Sequence, residues 1–286
     1  MKGKSLIEVS LVFLATQILS WILKPLQFFR DEIAILGWSY TSGLISMIIT
    51  FLVIYLSTSN FKENGFTKEG WKFALDIGFT GWLVWVIPIA ALLLLQLTYT
   101  KLLDSLIISA FVFLAIFLLL LITKDKDRGK VESNKQKALL NIVLLTLLLL
   151  MPIFFGLYLQ KSPNTLLKVV STVIWQFIFS GFGEEFRYRG YYQPRVNMEY
   201  GTPYTLLNVN YGIGLLVAAA LFGLSHVFNP FSPFEGVFEL NWGWGVWTFA
   251  AGLFFGLIKE KTQNIIAPGI AHGSDAFGEA LGVLFG

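Results

Sequence analysis

Nine hydrophobic runs, separated by shorter polar segments, extend along the chain. They cover Leu6–Phe29, Ile33–Leu56, Phe73–Leu97, Leu102–Thr123, Ala138–Leu159, Leu166–Tyr192, Tyr211–Phe228, Trp242–Ile258 and Ile265–Phe285. Most of them reach roughly 20 residues, the length of an α-helix that crosses the hydrocarbon core of a bilayer. The pattern therefore predicts an all-α fold, a polytopic transmembrane helix bundle. We expect nine spans, or eight if the first run lies in the membrane interface.

Several residues within the runs indicate where the predicted helices are kinked, interrupted or closely packed. Glu8 interrupts the first run and no small-residue cleavage site follows it, so we expect a retained helix rather than a signal peptide. Pro88 predicts a kink in the third run, and Pro268 falls in the first turn of the last run, where proline is tolerated. Gly252 and Gly256 have the small-residue spacing that lets a second helix approach closely.

Composition narrows the class of protein. Hydrophobic residues make up 55% of the 286-residue chain, charged residues only 14%, and the mean hydropathy is +0.67. In a soluble domain about a quarter of all residues are charged, so the composition argues against a water-soluble globular enzyme. Cysteine is absent, which excludes disulfides, thiolate metal sites and cysteine nucleophiles. A bound metal would therefore need histidine, carboxylate or backbone oxygen ligands.

Basic residues lie mainly in alternate connecting segments. These segments are 1–4, 57–72, 124–137, 187–204 and 259–263, and the connections on the other side carry Lys24, Arg30, Lys101 and Lys161. Lysine and arginine mark cytoplasmic loops, so the pattern predicts a multi-pass protein of the cell membrane with a cytoplasmic N-terminus. The most charged segment, 124–137, is interpreted as a solvated loop. No basic patch interleaved with aromatic residues indicates nucleic-acid binding.

Two adjacent acids stand inside the sixth run, where ionisable side chains are costly and usually face a cavity or a partner. Glu185 and Arg189 are spaced i, i+4 and are expected to pair along one helix face. Neighbouring helical residues point about 100° apart, so Glu184 is directed elsewhere. A carboxyl group desolvated in an apolar cleft suits a general base. The alternative is an interfacial helix end that extends its charges to water, but a span does not require adjacent acids.

The only two histidines, His226 and His272, both lie in hydrophobic runs near the paired acids. A single histidine in an apolar helix is more often a hydrogen-bonded packing residue than a ligand. The joint pattern weakens that interpretation, because both histidines share the last third of the chain with Glu184. Two imidazoles and a carboxylate can hold a water, a metal or an oxyanion.

The ordered set of these residues resembles the CPBP family of CAAX prenyl proteases and bacteriocin-processing (Abi) membrane proteases. The motifs are Glu184-Glu185-x-x-x-Arg189, then Phe222-x-x-x-His226, then His272 followed by an acidic residue. Each motif alone is weak, whereas the ordered set is fairly specific. The resemblance covers roughly residues 165–286. It implies a division into an accessory N-terminal bundle, 1–160, and a catalytic helix bundle, 161–286.

The resemblance implies an intramembrane endopeptidase that acts on a membrane-associated peptide or protein, such as a prenylated C-terminus, a leader peptide or a transmembrane segment. Glu184 would activate a water, and His226 and His272 would position it or stabilise the oxyanion. Arg189 would hold the motif helix through Glu185. Two histidines and one glutamate would suffice for a catalytic zinc with an open position. The same three residues would equally suffice for water activation without a metal.

One position departs from the family pattern. The family usually has Asn or Asp four residues after the last histidine, and this chain has Ala276 there. Asp275, at i+3, lies on the histidine's side of a continuous helix and is expected to replace it. Its negative charge mildly favours a metal, or an altered or lost activity. Glu279, at i+7, is a further candidate near the same face.

Two alternatives and one geometric difficulty accompany this hypothesis. The chain could be a catalytically inactive relative, an immunity or scaffold protein, which the missing Asn supports. It could also be a proton-coupled transporter, although the absence of an inverted repeat counts against that. Depth is the difficulty, because His226 falls near the outer end of its run while Glu184 and His272 lie toward the cytoplasm. They can meet if that run tilts or if the following Phe-rich loop enters the membrane.

Overall fold

The computed structural model describes residues 3–57, 60–126 and 128–285. Residues 1–2, 58–59 and 127, which belong to three of the predicted cytoplasmic segments, lie outside the described residues. The α-helices are α1 (Lys4–Leu23), α2 (Gln27–Leu36), α3 (Tyr40–Ser57), α4 (Trp71–Leu94), α5 (Leu102–Thr123), α6 (Arg128–Ser133), α7 (Lys135–Tyr158), α8 (Pro163–Ile174), α9 (Glu185–Arg187), α10 (Gln193–Tyr200), α11 (Ile213–Val227), α12 (Trp242–Thr262), α13 (Ile266–His272) and α14 (Asp275–Phe285).

One helix is much longer than the others. Two π-helical segments, Trp175–Glu184 and Tyr188–Tyr192, join α8, α9 and α10 into a continuous helical stretch, Pro163–Tyr200, called the long helix below. A π-helix widens each turn by one backbone position, and such segments often occur at functional sites. The wider turns redirect the side chains of the acidic motif relative to an ideal α-helix.

The helical, multi-pass architecture agrees with the sequence prediction, whereas the predicted number of spans is not confirmed. In the described part of the chain, six helices are long and apolar enough to cross a membrane: Lys4–Leu23, Tyr40–Ser57, Trp71–Leu94, Leu102–Thr123, Lys135–Tyr158 and Pro163–Tyr200. The seventh run forms a shorter apolar helix, Ile213–Val227. A small antiparallel hairpin, β1 (Tyr204–Leu206) and β2 (Val209–Tyr211), follows the long helix. The prediction of eight or nine spans is therefore not confirmed.

The first two runs are divided differently from the prediction. The first helix ends at Leu23, before Pro25, and a separate short helix, α2, follows it. The second run does not form one helix from Ile33, because Gly37 ends α2 in the left-handed region (φ 84°). Glu32 then accepts hydrogen bonds from the backbone N–H of Thr41 (3.1 Å to Oε1), which satisfies a free donor at the start of α3.

The last run is also broken, between α13 and α14. Gly273 lies at the break, where a Cβ atom would come within 2.5 Å of the Phe177 ring. Gly181 of the long helix packs against the same point, since its own Cβ would lie 2.9 Å from the Gly273 Cα. The backbone contact between the two glycines lets the long helix approach closely. His272 consequently lies at the end of a helix and not in the middle of one.

The core of the bundle is formed by α4, α5, α11, α12 and α13. The predicted close approach at Gly252 and Gly256 is present, because Cβ atoms there would lie 2.8 Å from the Ala219 Cα and 2.2 Å from the Leu215 Cδ1 on α11. Trp85 of α4 is almost fully buried in this core. The tight packing of α11 on α12 fixes the helix that carries His226.

Candidate active site

A cavity of about 770 Å³ joins most of the sequence-predicted site residues. Its lining includes Glu184, His226, His272, Asp275 and Glu279. Glu185 and Arg189 do not line it and lie fully buried directly behind it. The structure therefore brings all three motifs to one place, with the acidic motif on the long helix, the first histidine on α11 and the second on α13.

Arg189 is fully buried and anchors the rear of the site. Its Nη1 donates to Glu185 Oε1 at 2.8 Å, the i, i+4 pair that the spacing predicts. Its Nη2 donates to the backbone oxygen of Gly252 at 2.9 Å. The guanidinium also lies over the rings of Phe222 (4.7 Å) and Phe255 (5.6 Å). These contacts tie the long helix to α11 and α12, and they compensate the cost of burying the charge.

His272 is held between the two adjacent glutamates. Its Nδ1 lies 2.9 Å from Glu185 Oε1, and its Nε2 lies 3.7 Å from Glu184 Oε2. The imidazole stacks on Phe255, with ring centroids 4.5 Å apart. A carboxylate paired with arginine can only accept, so His272 Nδ1 carries the proton and donates it to Glu185. In the neutral ring, Nε2 therefore presents a lone pair to the cavity.

His226 has the same tautomer for a different reason. Its Nδ1 lies 2.9 Å from the backbone oxygen of Phe222, which can only accept a hydrogen bond. Neutral His226 therefore also leaves its Nε2 without a proton. The Phe222 ring contacts both imidazoles, with centroids 4.7 Å from His226 and 5.7 Å from His272. Side chains of an α-helix point toward its N-terminus. The His226 side chain therefore extends from the last turn of α11 toward the middle of that helix, and the following loop does not need to enter the membrane.

Asp275 lies at the site, although not by the predicted route. Its Oδ2 is 4.0 Å from His272 Nε2, and its Oδ1 accepts a hydrogen bond from Trp85 Nε1 at 3.2 Å. The prediction placed both residues on one continuous helix. That is wrong, because α13 ends at His272 and α14 begins at Asp275. Ala276, at the position of the family's Asn, is fully buried and carries no polar group.

Three residues of the site were not predicted from the sequence. Trp85 comes from the half of the chain predicted to be an accessory bundle, and it orients Asp275. Gln176 donates to Glu279 Oε2 at 2.5 Å and so fixes the acid at i+7 from His272. Trp247 lines the cavity, and its buried Nε1 has no hydrogen-bond partner among the described residues. No spacing in the sequence indicates these contacts, since each depends on packing between distant helices.

The donor atoms of the site lie farther apart than the ligand atoms of a zinc ion. Tetrahedral zinc with bonds of about 2.0–2.1 Å separates its ligand atoms by about 3.3 Å. Glu184 Oε2 and Asp275 Oδ2 lie 3.7 Å and 4.0 Å from His272 Nε2, respectively. Among the described residues, no group of three or more His, Asp or Glu side chains is arranged to hold a metal ion. The residues present therefore do not fit a preassembled zinc site, and zinc held by Glu184, His226 and His272 stays a prediction.

Fold and site together define a multi-pass helical membrane protein with a buried acid–histidine centre at the end of an internal cavity. Residues 166–276 match the family model of the Rce1-like type II CAAX prenyl endopeptidases. This match confirms the family resemblance predicted from the ordered motifs, and it includes Glu184, Arg189, His226 and His272. A comparison with curated proteins finds no match, and neither does a comparison with solved structures.

Proposed function

We propose that this protein is an intramembrane endopeptidase in which Glu184 activates the attacking water. One observation carries the proposal: Glu184 Oε2, which has no hydrogen-bond partner among the described residues, faces His272 Nε2 across 3.7 Å at a cavity. This gap is too wide for a direct hydrogen bond and suits a bridging water. The family match over the same residues supports peptide-bond hydrolysis as the reaction.

The reaction follows from the positions of the side chains. A water donates one hydrogen bond to Glu184 and the other to the Nε2 lone pair of His272, so its oxygen is free to attack the carbonyl carbon of the substrate. Glu184 takes the proton as the C–O bond forms. The C–N bond then breaks, and the proton passes from Glu184 to the leaving amine. Glu185 and Arg189 act through His272, whose tautomer and orientation they fix.

The oxyanion needs a hydrogen-bond donor, and neither neutral histidine offers one at Nε2. We assign this role to the indole N–H of Trp247, a buried donor without a partner among the described residues that line the cavity. The family's Asn would be a donor, whereas Ala276 is not. In a dry site a preorganised donor stabilises developing negative charge far more strongly than it does in water. His226 Nε2 accepts from the water or from a substrate N–H and so completes the positioning.

The proposal includes a membrane-associated peptide or protein as the substrate, and the cell membrane, with a cytoplasmic N-terminus, as the location of the enzyme. The test compares peptide N-termini by mass spectrometry in membranes from cells that express the wild type, Glu184→Gln or the exposed control Glu239→Gln. We expect a set of new N-termini in the wild type and the control that is missing with Glu184→Gln. Identical sets in all three would overturn the proposal.

A second candidate function is favoured by Ala276 alone. A catalytically inactive relative, acting as an immunity or scaffold protein, has no need for a polar group at this position. It predicts that Glu184→Gln and His272→Ala leave the cellular phenotype unchanged. The same mass-spectrometric comparison separates the two candidates, because an inactive relative produces no N-termini that depend on Glu184.

A further inference from the structure

The two ends of the helix bundle differ strongly in charge. One end, called the basic end, contains the connections α3–α4 and α5–α7 and the end of α12. Its lysines and arginines are Lys62, Lys68, Lys72, Lys124, Lys126, Arg128, Lys130, Lys135, Lys137, Lys259 and Lys261. Contacts join these connections into one surface, since Asp76 pairs with both Lys126 and Lys137 at 2.8 Å. The side-chain amide of Asn264 likewise donates to the Thr67 oxygen at 3.0 Å.

The opposite end, called the aromatic end, contains the connections α1–α3, α4–α5 and α11–α12. Its basic residues among these connections are Lys24, Arg30 and Lys101, and the α7–α8 connection at the same end adds Lys161. Lys24 Nζ donates to the backbone oxygen of Asn229 at 3.1 Å. Tyr99 and Trp244 pack with ring centroids 5.2 Å apart. Aromatic residues are typical of a membrane interface, and the shortage of lysine and arginine is typical of the side opposite the cytoplasm.

The cavity extends to the aromatic end, and its lining there is called the mouth below. Its lining includes Lys24, Tyr99, Asn229 and Trp244, all from that end. None of the described residues of the three connections that define the basic end lines it, and the basic residue of the long helix that does, Arg187, follows Glu184 by less than one turn. On the long helix the lining residue nearest the basic end is Tyr188, which is 2% exposed and packs on Phe222 with ring centroids 5.0 Å apart.

A row of polar side chains connects the mouth to the catalytic acid. From α1 and α3 it contains Thr16, Gln17, Ser20, Ser39, Ser42 and Ser46. Ser42 and Ser46 are one turn apart and therefore lie on the same face of α3. Hydroxyl groups along an otherwise apolar wall give water and an extended peptide backbone hydrogen-bond partners at this depth. The row provides polar groups at intervals between the mouth and Glu184, on a wall that also contains apolar residues such as Leu19 and Ile45.

Because basic ends lie in the cytoplasm, we propose that the catalytic cavity opens to the extracytoplasmic face and cleaves segments presented from that side. This inference rests on the proposed function and names its substrate class. That class is a membrane-associated peptide whose scissile bond has reached the outer half of the bilayer, such as a translocated leader or the outer part of a transmembrane segment. A lipidated C-terminus that stays in the cytoplasm lies at the closed end of the cavity.

The absence of cysteine permits a direct test with single-cysteine variants of the full chain. Ser42→Cys lies in the cavity, Asn229→Cys at its mouth and Ser133→Cys at the basic end. Bacterial cells that express each variant are treated with a membrane-impermeant maleimide, intact or permeabilised. We expect labelling of Ser42→Cys and Asn229→Cys in intact cells, and of Ser133→Cys only after permeabilisation. The wild type gives the background.

Two results would overturn the proposal. Labelling of Ser133→Cys but not Asn229→Cys in intact cells would reverse the orientation. If Asn229→Cys is labelled in intact cells but neither Ser42→Cys nor its neighbour Ser46→Cys is, the cavity is closed to the extracytoplasmic face. Repeating the series with Glu184→Gln keeps the two claims apart, because labelling reports access whether or not the enzyme cleaves. An inactive but correctly labelled protein would refute the proposed function and leave the access route standing.

Discussion

His272 and Glu185 are joined by a 2.9 Å hydrogen bond through the imidazole Nδ1, which leaves Nε2 facing Glu184 at 3.7 Å. The two adjacent glutamates therefore lie at different nitrogens of the same imidazole ring, Glu185 at Nδ1 and Glu184 near Nε2. Glu185, paired with the buried Arg189, fixes the ring, and Glu184 is left free for chemistry. The wide turns of the π-helical segment that ends at Glu184 contribute to this arrangement.

Replacing Glu185 with Gln tests its positioning role. The change leaves the Arg189 charge buried without its partner, and breaking a buried pair costs about 3–5 kcal/mol. We expect a clear fall in the thermal unfolding temperature of the purified protein together with a lower kcat. The exposed pair of Glu69 and Lys62 provides the control, since Glu69→Gln should leave both quantities unchanged. Equal effects of the two variants would contradict the role given to Glu185.

Trp247→Phe tests the proposed oxyanion donor. Phenylalanine keeps the stacking partner of Trp85 but removes the indole N–H. Loss of one oxyanion donor lowers kcat by about 10²–10³-fold, and we expect this loss in kcat with little change in KM. Trp242→Phe, at an exposed position on the same helix, is the control. A change confined to KM, or no change, would remove Trp247 from the mechanism.

Restoring the family's Asn at Ala276 should not improve this enzyme. Ala276 is fully buried, and adding bulk to a packed site costs about 1–3 kcal/mol. We expect Ala276→Asn to unfold at a lower temperature and to cleave no faster than the wild type. Gly278→Asn, at a position where a Cβ meets no atom within 4 Å, should be tolerated. Faster cleavage by Ala276→Asn would show that this site still lacks the family's donor.

Metal removal distinguishes water activation by Glu184 without a metal from water activation at a bound metal. Because the described donor atoms are not arranged around a metal, we expect cleavage to persist when the purified protein is treated with 1,10-phenanthroline. Elemental analysis of the wild type and of the His226→Ala/His272→Ala double variant complements this assay. Near-stoichiometric zinc in the wild type that is lost in the double variant, with activity lost to the chelator, would replace this mechanism with a metal-dependent one.

Features that depend on local sequence pattern could be predicted from the sequence alone. The fourth run matches α5, Leu102–Thr123, at both ends, because its hydrophobic residues are bounded by charged ones. The pairing of Glu185 with Arg189 followed from helical spacing. The family motifs selected Glu184, His226 and His272, which line the cavity.

Long-range contacts could not be predicted from these patterns. The bond from Trp85 to Asp275 joins positions far apart in the chain and exists only because α4 packs beside the break before α14. The break lies at Gly273, which packs closely on the long helix, and a hydropathy pattern does not show such packing. The π-helical segments could not be predicted from the hydrophobic pattern either, since both fall within one uninterrupted predicted run, Leu166–Tyr192.

The central claim is that Glu184 activates the attacking water. The most direct measurement is the cleavage rate of purified wild type and Glu184→Gln in proteoliposomes, using a substrate found by the N-terminal comparison, together with binding of that substrate by photo-crosslinking. General-base catalysis contributes about 10²–10⁴-fold to a rate. We therefore expect the cleavage rate to fall by a factor in this range while substrate crosslinking is retained. Cleavage by Glu184→Gln at the wild-type rate would contradict the account.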